Sequence, residues 1–376
     1  MRAPHDGDRL GPLSRYMIPL SREASPAVAR VMICDDSAVI RSAICRILET
    51  DPHIRVVARV MNGQAAVDAL KIHDVDVVVL DIEMPVMDGL TALPLLLRRD
   101  PGLRVIMAST LTTRGADISM RALRLGAADY VPKPSANQVA GDSRFGPELI
   151  AKVRGLARLR QHASAVMPQA AAAPVGVLRP APRQMPLLLA VGSSTGGPNA
   201  LFTLVGGLSP RLPVPVVITQ HMPAAFTAIL ADHIGKLGIL PCSEASHGAR
   251  LKPGQIMIAH GDRHMLVKRD AGGLIVQLSD APAENFCRPS VEPMLRSAAA
   301  ATDNRVLVTM LTGMGQDGLE ATRRIVDAGG AALAQDEASS VVWGMPGAVA
   351  RAGLAHAVLP LSQIAPKINS LFGVKA

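Results

Sequence analysis

From Ala29 onward the chain settles into a rhythm of apolar runs separated by helical periodicities. Strand-like runs occupy 29–34, 54–60, 75–80, 104–108 and 127–131, with helical patterns such as Ala38–Leu48 and Gly63–Leu70 between them. Strands alternating with helices predict a parallel sheet built on right-handed crossovers. Pro147–His162 reads as an amphipathic helix carrying Leu149, Ile150, Val153, Leu156 and Leu159 on one face. A second series follows, with strands near 187–191, 214–219, 255–259 and 306–311. Inside it, two β-like runs flank Asp270-Ala271-Gly272-Gly273 over 264–278, which predicts a hairpin. No internal repeat is visible.

The expected map is a flexible tail over 1–29, a first α/β unit over 30–160, a linker over 161–184 and a second α/β unit over 185–376. The tail lacks periodicity, and the linker is rich in Pro and Ala with no acidic residue, so neither can bury enough surface to offset chain entropy. A length of 376 residues fits two or three domains, and 49% apolar against 19% charged residues is enough to build their cores. Apolar stretches stop well short of the ~18 to 20 residues that span a bilayer, and no secretory pattern opens the chain. A cytoplasmic protein with no membrane insertion is expected.

The net charge of +8 raises the question of nucleic acid. By segment, 1–30 carries +2, 31–135 carries −1, 136–185 carries +5 and 186–376 carries +2. Most of the surplus therefore falls in the tail and around the linker, where it reads as solvated charge rather than a binding face. Eight aromatic residues are too few for single-strand stacking platforms. Cys34, Cys45, Cys242 and Cys287 lack metal-ligand spacing, which argues against structural zinc and a disulfide framework.

Chemistry gathers at strand ends. In the first unit Asp35 and Asp36 follow the first strand, Asp81 ends the third, Ser109 follows the fourth and Lys133-Pro134 follows the fifth. The carboxyl ends of parallel strands meet at one edge, so these distant residues can converge. Crowded carboxylates want a hard cation such as Mg²⁺, and Asp81 could then attack a phosphoryl group whose oxygens Lys133 and Ser109 bind. Taken singly, Asp36-Ser37 is a helix cap, Asp88-Gly89 a turn and Lys133 a surface charge. Jointly, their spacing matches an entire βα series. Residues 30–160 resemble a response-regulator receiver domain in VMICDDS, VVVLDIEMPVMDGL, VIMAST and GAADYVPKP. The resemblance implies a flavodoxin-like (βα)5 fold with Asp81 as phosphoacceptor. It further implies Mg²⁺ held by Asp35, Asp36, Asp81 and the Glu83 carbonyl, and Ser109, Tyr130 and Lys133 as switch residues.

In the second unit Gly192-Ser193-Ser194-Thr195-Gly196 has the G-x-S-x-G form between a strand and a helix-compatible run. The register selects Ser194 over Ser193, and the Thr195 amide can face a developing oxyanion. An anion-binding glycine loop is the bland alternative. Of ten histidines, His221 stands directly after a strand; His264 is its nearest rival, at the start of the hairpin. His233, His247, His260 and His356 read as surface or structural. The orienting acid is expected at Asp317, with Asp336 second and a helix cap as the plain alternative for Asp317. The order Ser…His…Asp differs from that of ordinary α/β-hydrolases.

With AVGSSTGGP, ITQHMP, FCRPSVE, LTGMGQDG and WGMPGAV, the second unit resembles the chemotaxis receptor methylesterases of CheB type. The resemblance implies a doubly wound, mainly parallel α/β fold and a Ser194, His221, Asp317 triad, with the Thr195 and Met314 amides as oxyanion hole and no cofactor. It implies glutamate γ-methyl esters on methyl-accepting chemotaxis receptors as substrate, deamidation of receptor glutamines, and a chemotaxis histidine kinase as phosphodonor. Glu292 stands where the family pattern has aspartate. An unphosphorylated receiver is expected to cover the active site. A DNA-binding output is disfavoured by a strand-rich second unit carrying only +2, and an inactive scaffold remains the other rival.

Overall fold

The computed structural model describes residues 28–109, 112–133, 145–164 and 178–375. Of the expected tail and linker, residues 1–27 and 165–177 lie outside that description.

The first unit runs β1 (Ala29–Cys34), α1 (Ala38–Leu48), β2 (Ile54–Val60), α2 (Gly63–Ala69), β3 (Val77–Asp81), α3 (Gly89–Arg99), β4 (Arg104–Ser109), α4 (Thr113–Arg124), β5 (Asp129–Pro132) and α5 (Phe145–Ser164). Its five strands pair in parallel in the order β2-β1-β3-β4-β5. Every residue of β3 is buried, as expected for a parallel strand covered on both faces. Ser37, Asn62 and Asp88 cap α1, α2 and α3 through their side chains, each accepting from an otherwise unpaired amide of the first turn.

The second unit runs β6 (Leu188–Ser193), α6 (Gly197–Gly206), β7 (Val216–Gln220), α7 (Ala224–Gly235), β8 (Cys242–Glu244), β9 (Ile256–Ile258), β10 (His264–Asp270) and β11 (Gly273–Ser279). It continues through α8 (Val291–Ala301), β12 (Val306–Met310), α9 (Leu319–Asp327), β13 (Ala331–Gln335), α10 (Met345–Arg351), β14 (Ala357–Leu359) and α11 (Leu361–Leu371). Seven strands form one parallel sheet, ordered β14-β13-β12-β6-β7-β9-β8. From β6 the chain winds outward through β7, then crosses back to β12 and winds the other way. The crevice at the ends of β6 and β12 is therefore a topological switch point, where open α/β sheets bind ligands. The expected hairpin is β10–β11, paired antiparallel in a separate sheet.

Three expectations need correction. Helix α5 continues to Ser164, so a boundary at residue 160 falls inside its last turn. Residues 178–184 are not free linker: the Arg179 amide donates to the Ala355 carbonyl at 2.9 Å and that of Arg183 to the Gly329 carbonyl at 3.2 Å, tying the segment to the second unit. The basic surplus around the linker is also not simply solvated. Lys152, Arg154, Arg158 and Arg160 lie on α5 and pair with Asp129, Asp51, Glu337 and Asp100 respectively. Among the described residues no helix is long and apolar enough to cross a membrane.

The two units share a packed boundary. Tyr130 of β5 stacks on Phe226 of α7, ring centroids 4.8 Å apart and 12° from parallel. Helix α4 packs on α7 and α6. On the other side, Gly155 of α5 lies so close to the Val341 carbonyl that a Cβ there would collide with it.

Candidate active site

Ser194 is the first residue beyond β6, held by its own amide donating to the Thr312 carbonyl at 3.0 Å. The neighbouring Ser193 ends the strand, is fully buried, and donates its hydroxyl to Gln220 Oε1 at 2.7 Å. Of the two hydroxyls only that of Ser194 is half-exposed and uncommitted: it makes no hydrogen bond among the described residues. Gln220 also donates to the Ser194 carbonyl at 2.9 Å, fixing the turn from below. The β12–α9 loop closes the other wall. A Cβ on Gly313 would stand 2.9 Å from that of Ser194, so only glycine lets the loop approach. The next residue, Met314, is exposed. Neither the Thr195 nor the Met314 amide has an acceptor among the described residues, which leaves both free for an incoming oxyanion.

His221 follows β7, and its Nε2 lies 2.8 Å from Asp317 Oδ2. Asp317 is buried and collects four further donors. Asn285 Nδ2 and Ser290 Oγ reach Oδ1 at 2.8 and 2.7 Å; the Val291 amide reaches Oδ2 at 2.6 Å and the Glu292 amide Oδ1 at 3.2 Å. The carboxylate thus sits at the N-terminus of α8, whose amides and dipole favour negative charge. Burial pushes its pKa up, but the His221 bond and these donors outweigh it and hold the group below the usual range. An ionised Asp317 accepts, so His221 Nε2 donates. Burial pushes the imidazole down, yet Asp317 and Cys287 override it and raise it to about 9. The other ring nitrogen, Nδ1, faces Cys287 Sγ at 3.5 Å.

The rival histidines are occupied elsewhere. His264 is buried with Nε2 on the Pro282 carbonyl and Nδ1 accepting from the Ser290 amide. His233 contacts Asp117, and His356 contacts the Arg179 carbonyl. Asp336 accepts from Ser339 and does not reach His221.

At the carboxyl edge of the first sheet, Asp35, Asp36 and Asp81 place ligand oxygens within 4.8 Å of one another. Lys133 Nζ lies 2.6 Å from Asp81 and 3.2 Å from Asp35. Burial raises the Asp81 pKa despite Lys133, and the buried Oδ2 atoms of Asp35 and Asp81 have no hydrogen-bond partner beyond that cation. An under-satisfied, all-oxygen cluster of this kind suits a hard divalent ion. The Glu83 amide donates to Asp81 Oδ1 at 3.3 Å. Ser109 is buried and donates to the Gly115 carbonyl at 2.9 Å.

Between the two centres run contacts that the residue pattern gave no sign of. Asp129 Oδ2 crosses from β5 to accept the Gly196 amide at 3.0 Å, two residues beyond Ser194. Buried Lys152 pairs with that carboxylate at 3.1 Å. Asn199 of α6 donates to the Ala127 and Ala128 carbonyls at 2.8 and 2.9 Å. The contacts of Asn285 and Ser290 with Asp317 and of Cys287 with His221 carry no such sign either, although Cys287 and Ser290 lie in the FCRPSVE stretch.

Comparison with known proteins matches residues 189–368 to the CheB methylesterase family and 31–140 to the response regulator receiver domain. A protein-glutamate methylesterase/protein-glutamine glutaminase of Paramagnetospirillum magneticum is 51% identical over 371 residues, covering 92% of this chain and 97% of that protein. One from Azospirillum brasilense is 52% identical over 361 residues, covering 90% and 92%. The Thermotoga maritima CheB methylesterase catalytic domain is 36% identical, with a TM-score of 0.48, covering 50% of this chain and 99% of that one.

Proposed function

The chain belongs to the CheB methylesterase family, and we propose that Ser194, His221 and Asp317 carry its hydrolysis of glutamate γ-methyl esters on methyl-accepting chemotaxis receptors. The observation that carries this reading is the 2.8 Å His221–Asp317 pair beside Ser194 at the switch point of the sheet. Because Asp317 takes Nε2, the working base is Nδ1, the reverse of the arrangement in which the carboxylate holds Nδ1. Nδ1 removes the Ser194 proton as Oγ attacks the ester carbonyl. The Thr195 and Met314 amides receive the charge that develops on the carbonyl oxygen. The imidazolium returns the proton to the departing methoxide, releasing methanol, and water then cleaves the acyl-serine by the same steps. A receptor glutamine follows the same course with ammonia leaving, which accounts for the second activity named in the relatives.

The first domain is the regulator. Asp81 accepts a phosphoryl group from a chemotaxis histidine kinase, its oxygen forming the new P–O bond as the P–N bond of the donor breaks. Asp35, Asp36, Asp81 and the Glu83 carbonyl would hold Mg²⁺, which offsets the charge of phosphate and carboxylates; Lys133 and Ser109 bind the added oxygens. Lys133 directly follows β5, so its rearrangement bears on Tyr130 and Asp129 of that strand. Both lie against the catalytic domain beside the nucleophile turn. The closed boundary restricts the site, and phosphorylation opens it. A tenfold gain needs a differential of only about 1.4 kcal/mol. Methanol release is therefore expected to rise about tenfold or more with a small-molecule phosphodonor, and Asp81→Asn to abolish the rise; an equal response in that variant counts against Asp81.

Asn199→Ala removes two hydrogen bonds that exist only in the closed arrangement. If the closed state loses about 1 kcal/mol in all, unphosphorylated activity is expected to rise roughly fivefold while the phosphorylated rate stays put. Parallel methanol assays with and without phosphodonor check this, and an unchanged ratio would remove the boundary from the regulatory account.

A further inference from the structure

We propose that Cys287 is a positioning residue of the esterase: its thiol holds the base nitrogen of His221 in the resting enzyme and competes with the Ser194 hydroxyl for it. The inference rests on the triad reading above and goes beyond it. With Nε2 committed to Asp317, only Nδ1 can accept the serine proton. The partner that Nδ1 has is Cys287 Sγ at 3.5 Å, while the Ser194 hydroxyl makes no hydrogen bond among the described residues. When the ring is protonated its Nδ1–H donates to the sulfur, a weak acceptor that an approaching hydroxyl can displace, so the contact orders the ring without locking it.

The loop that delivers Cys287 is tied down at several points. The Glu284 amide donates to the Cys287 carbonyl at 3.2 Å and the Cys287 amide returns to the Glu284 carbonyl at 2.9 Å. Glu284 is gripped by both terminal nitrogens of Arg296. Asn285 bonds the same carboxylate that holds His221. Asn285 and Phe286 take φ of 52° and 62°, a conformation that persists in non-glycine residues only where the surroundings over-determine it. The other cysteines have no such company. Cys34 and Cys242 have thiols that burial pushes up to about 12, and Cys45 is buried on α1.

The sulfur also bears on the proton affinity of the base. The ionisable groups facing His221 are Asp317 from the β12–α9 loop and Cys287 from the loop before α8. Glu292 of α8 and Glu284 act on Asp317 from further out. The Cys287 contact favours the protonated ring, which cannot act as a base. Removing it lets Nδ1 work at lower pH.

The test is the pH profile of kcat/KM for methanol release from methylated receptor, using the full chain at saturating phosphodonor. Any pH dependence of phosphorylation is common to all variants. Cys287→Ala is expected to move the acid limb down by about half a unit, giving roughly threefold higher kcat/KM on the acid side with the alkaline plateau kept. Cys287→Ser retains an acceptor for the protonated Nδ1–H, and its limb should fall between the two. An alanine profile that superimposes on the parent, or one lowered evenly at every pH, overturns the proposal. Ser194→Ala in the same series separates the outcomes: activity surviving there sinks the triad, whereas an inactive Ser194→Ala beside an unmoved Cys287→Ala limb sinks only the role of the thiol.

Discussion

Ser194→Ala is expected to lower methanol release from methylated receptor by at least ~10³-fold while the protein folds normally. The loss is large because the hydroxyl oxygen is the atom that becomes bonded to the acyl group; what survives is the contribution of the oxyanion amides and of substrate binding. Folding is spared for a local reason. The hydroxyl supports no hydrogen bond among the described residues, and alanine adds no volume against Gly313. Ser193 cannot take over, since its side chain is buried on the far side of the turn and spent on Gln220. Thermal unfolding alongside the methanol assay checks both halves. A variant that retains most of its activity removes Ser194 as nucleophile.

Asp317→Asn should be comparably damaging, by ~10³- to 10⁴-fold, and for two reasons that can be separated. An amide offers one acceptor and one donor where the carboxylate offers two acceptors. Donors from His221, Asn285, Ser290, Val291 and Glu292 all converge there. Whichever way the amide turns, its NH₂ meets N–H or O–H groups, and at least one buried donor loses its partner at a cost of about 1–3 kcal/mol. The second reason is electrostatic. The His221 pKa is raised to about 9 against the pull of burial, with Asp317 among the causes. Without the carboxylate the pKa falls, so whatever activity remains should persist to lower pH than in the parent. A fall in rate with an unshifted acid limb would mean that Asp317 supports the α8 terminus but does not govern the base.

Much of the architecture is readable from periodicity because both sheets are parallel and covered by helices. Their strands are continuous apolar runs, and α1 coincides with the expected Ala38–Leu48. In such a sheet residues directly after strands share an edge, which is why Ser194, His221 and Asp317 could be nominated from position alone. The three-residue strands β8 and β14 carry too little pattern to be seen. Basic residues near the linker looked solvated because nothing local reveals that α5 meets Asp51, Asp100 and Glu337. Asp129 reaching Gly196 and Cys287 reaching His221 are contacts across 67 and 66 residues of sequence, set by domain packing and by loop geometry respectively. Neither has a spacing rule, so only coordinates disclose them.

Covalent capture is the sharpest probe of the catalytic assignment. The full chain, activated by a phosphodonor, is exposed to a fluorophosphonate and digested, and the modified residue is located by mass spectrometry. A single adduct on Ser194, formed more slowly without phosphodonor and absent from a His221→Ala variant, is the expected result. An adduct on Ser193 or elsewhere, or full methanol release from protein that has taken up no label, would contradict it.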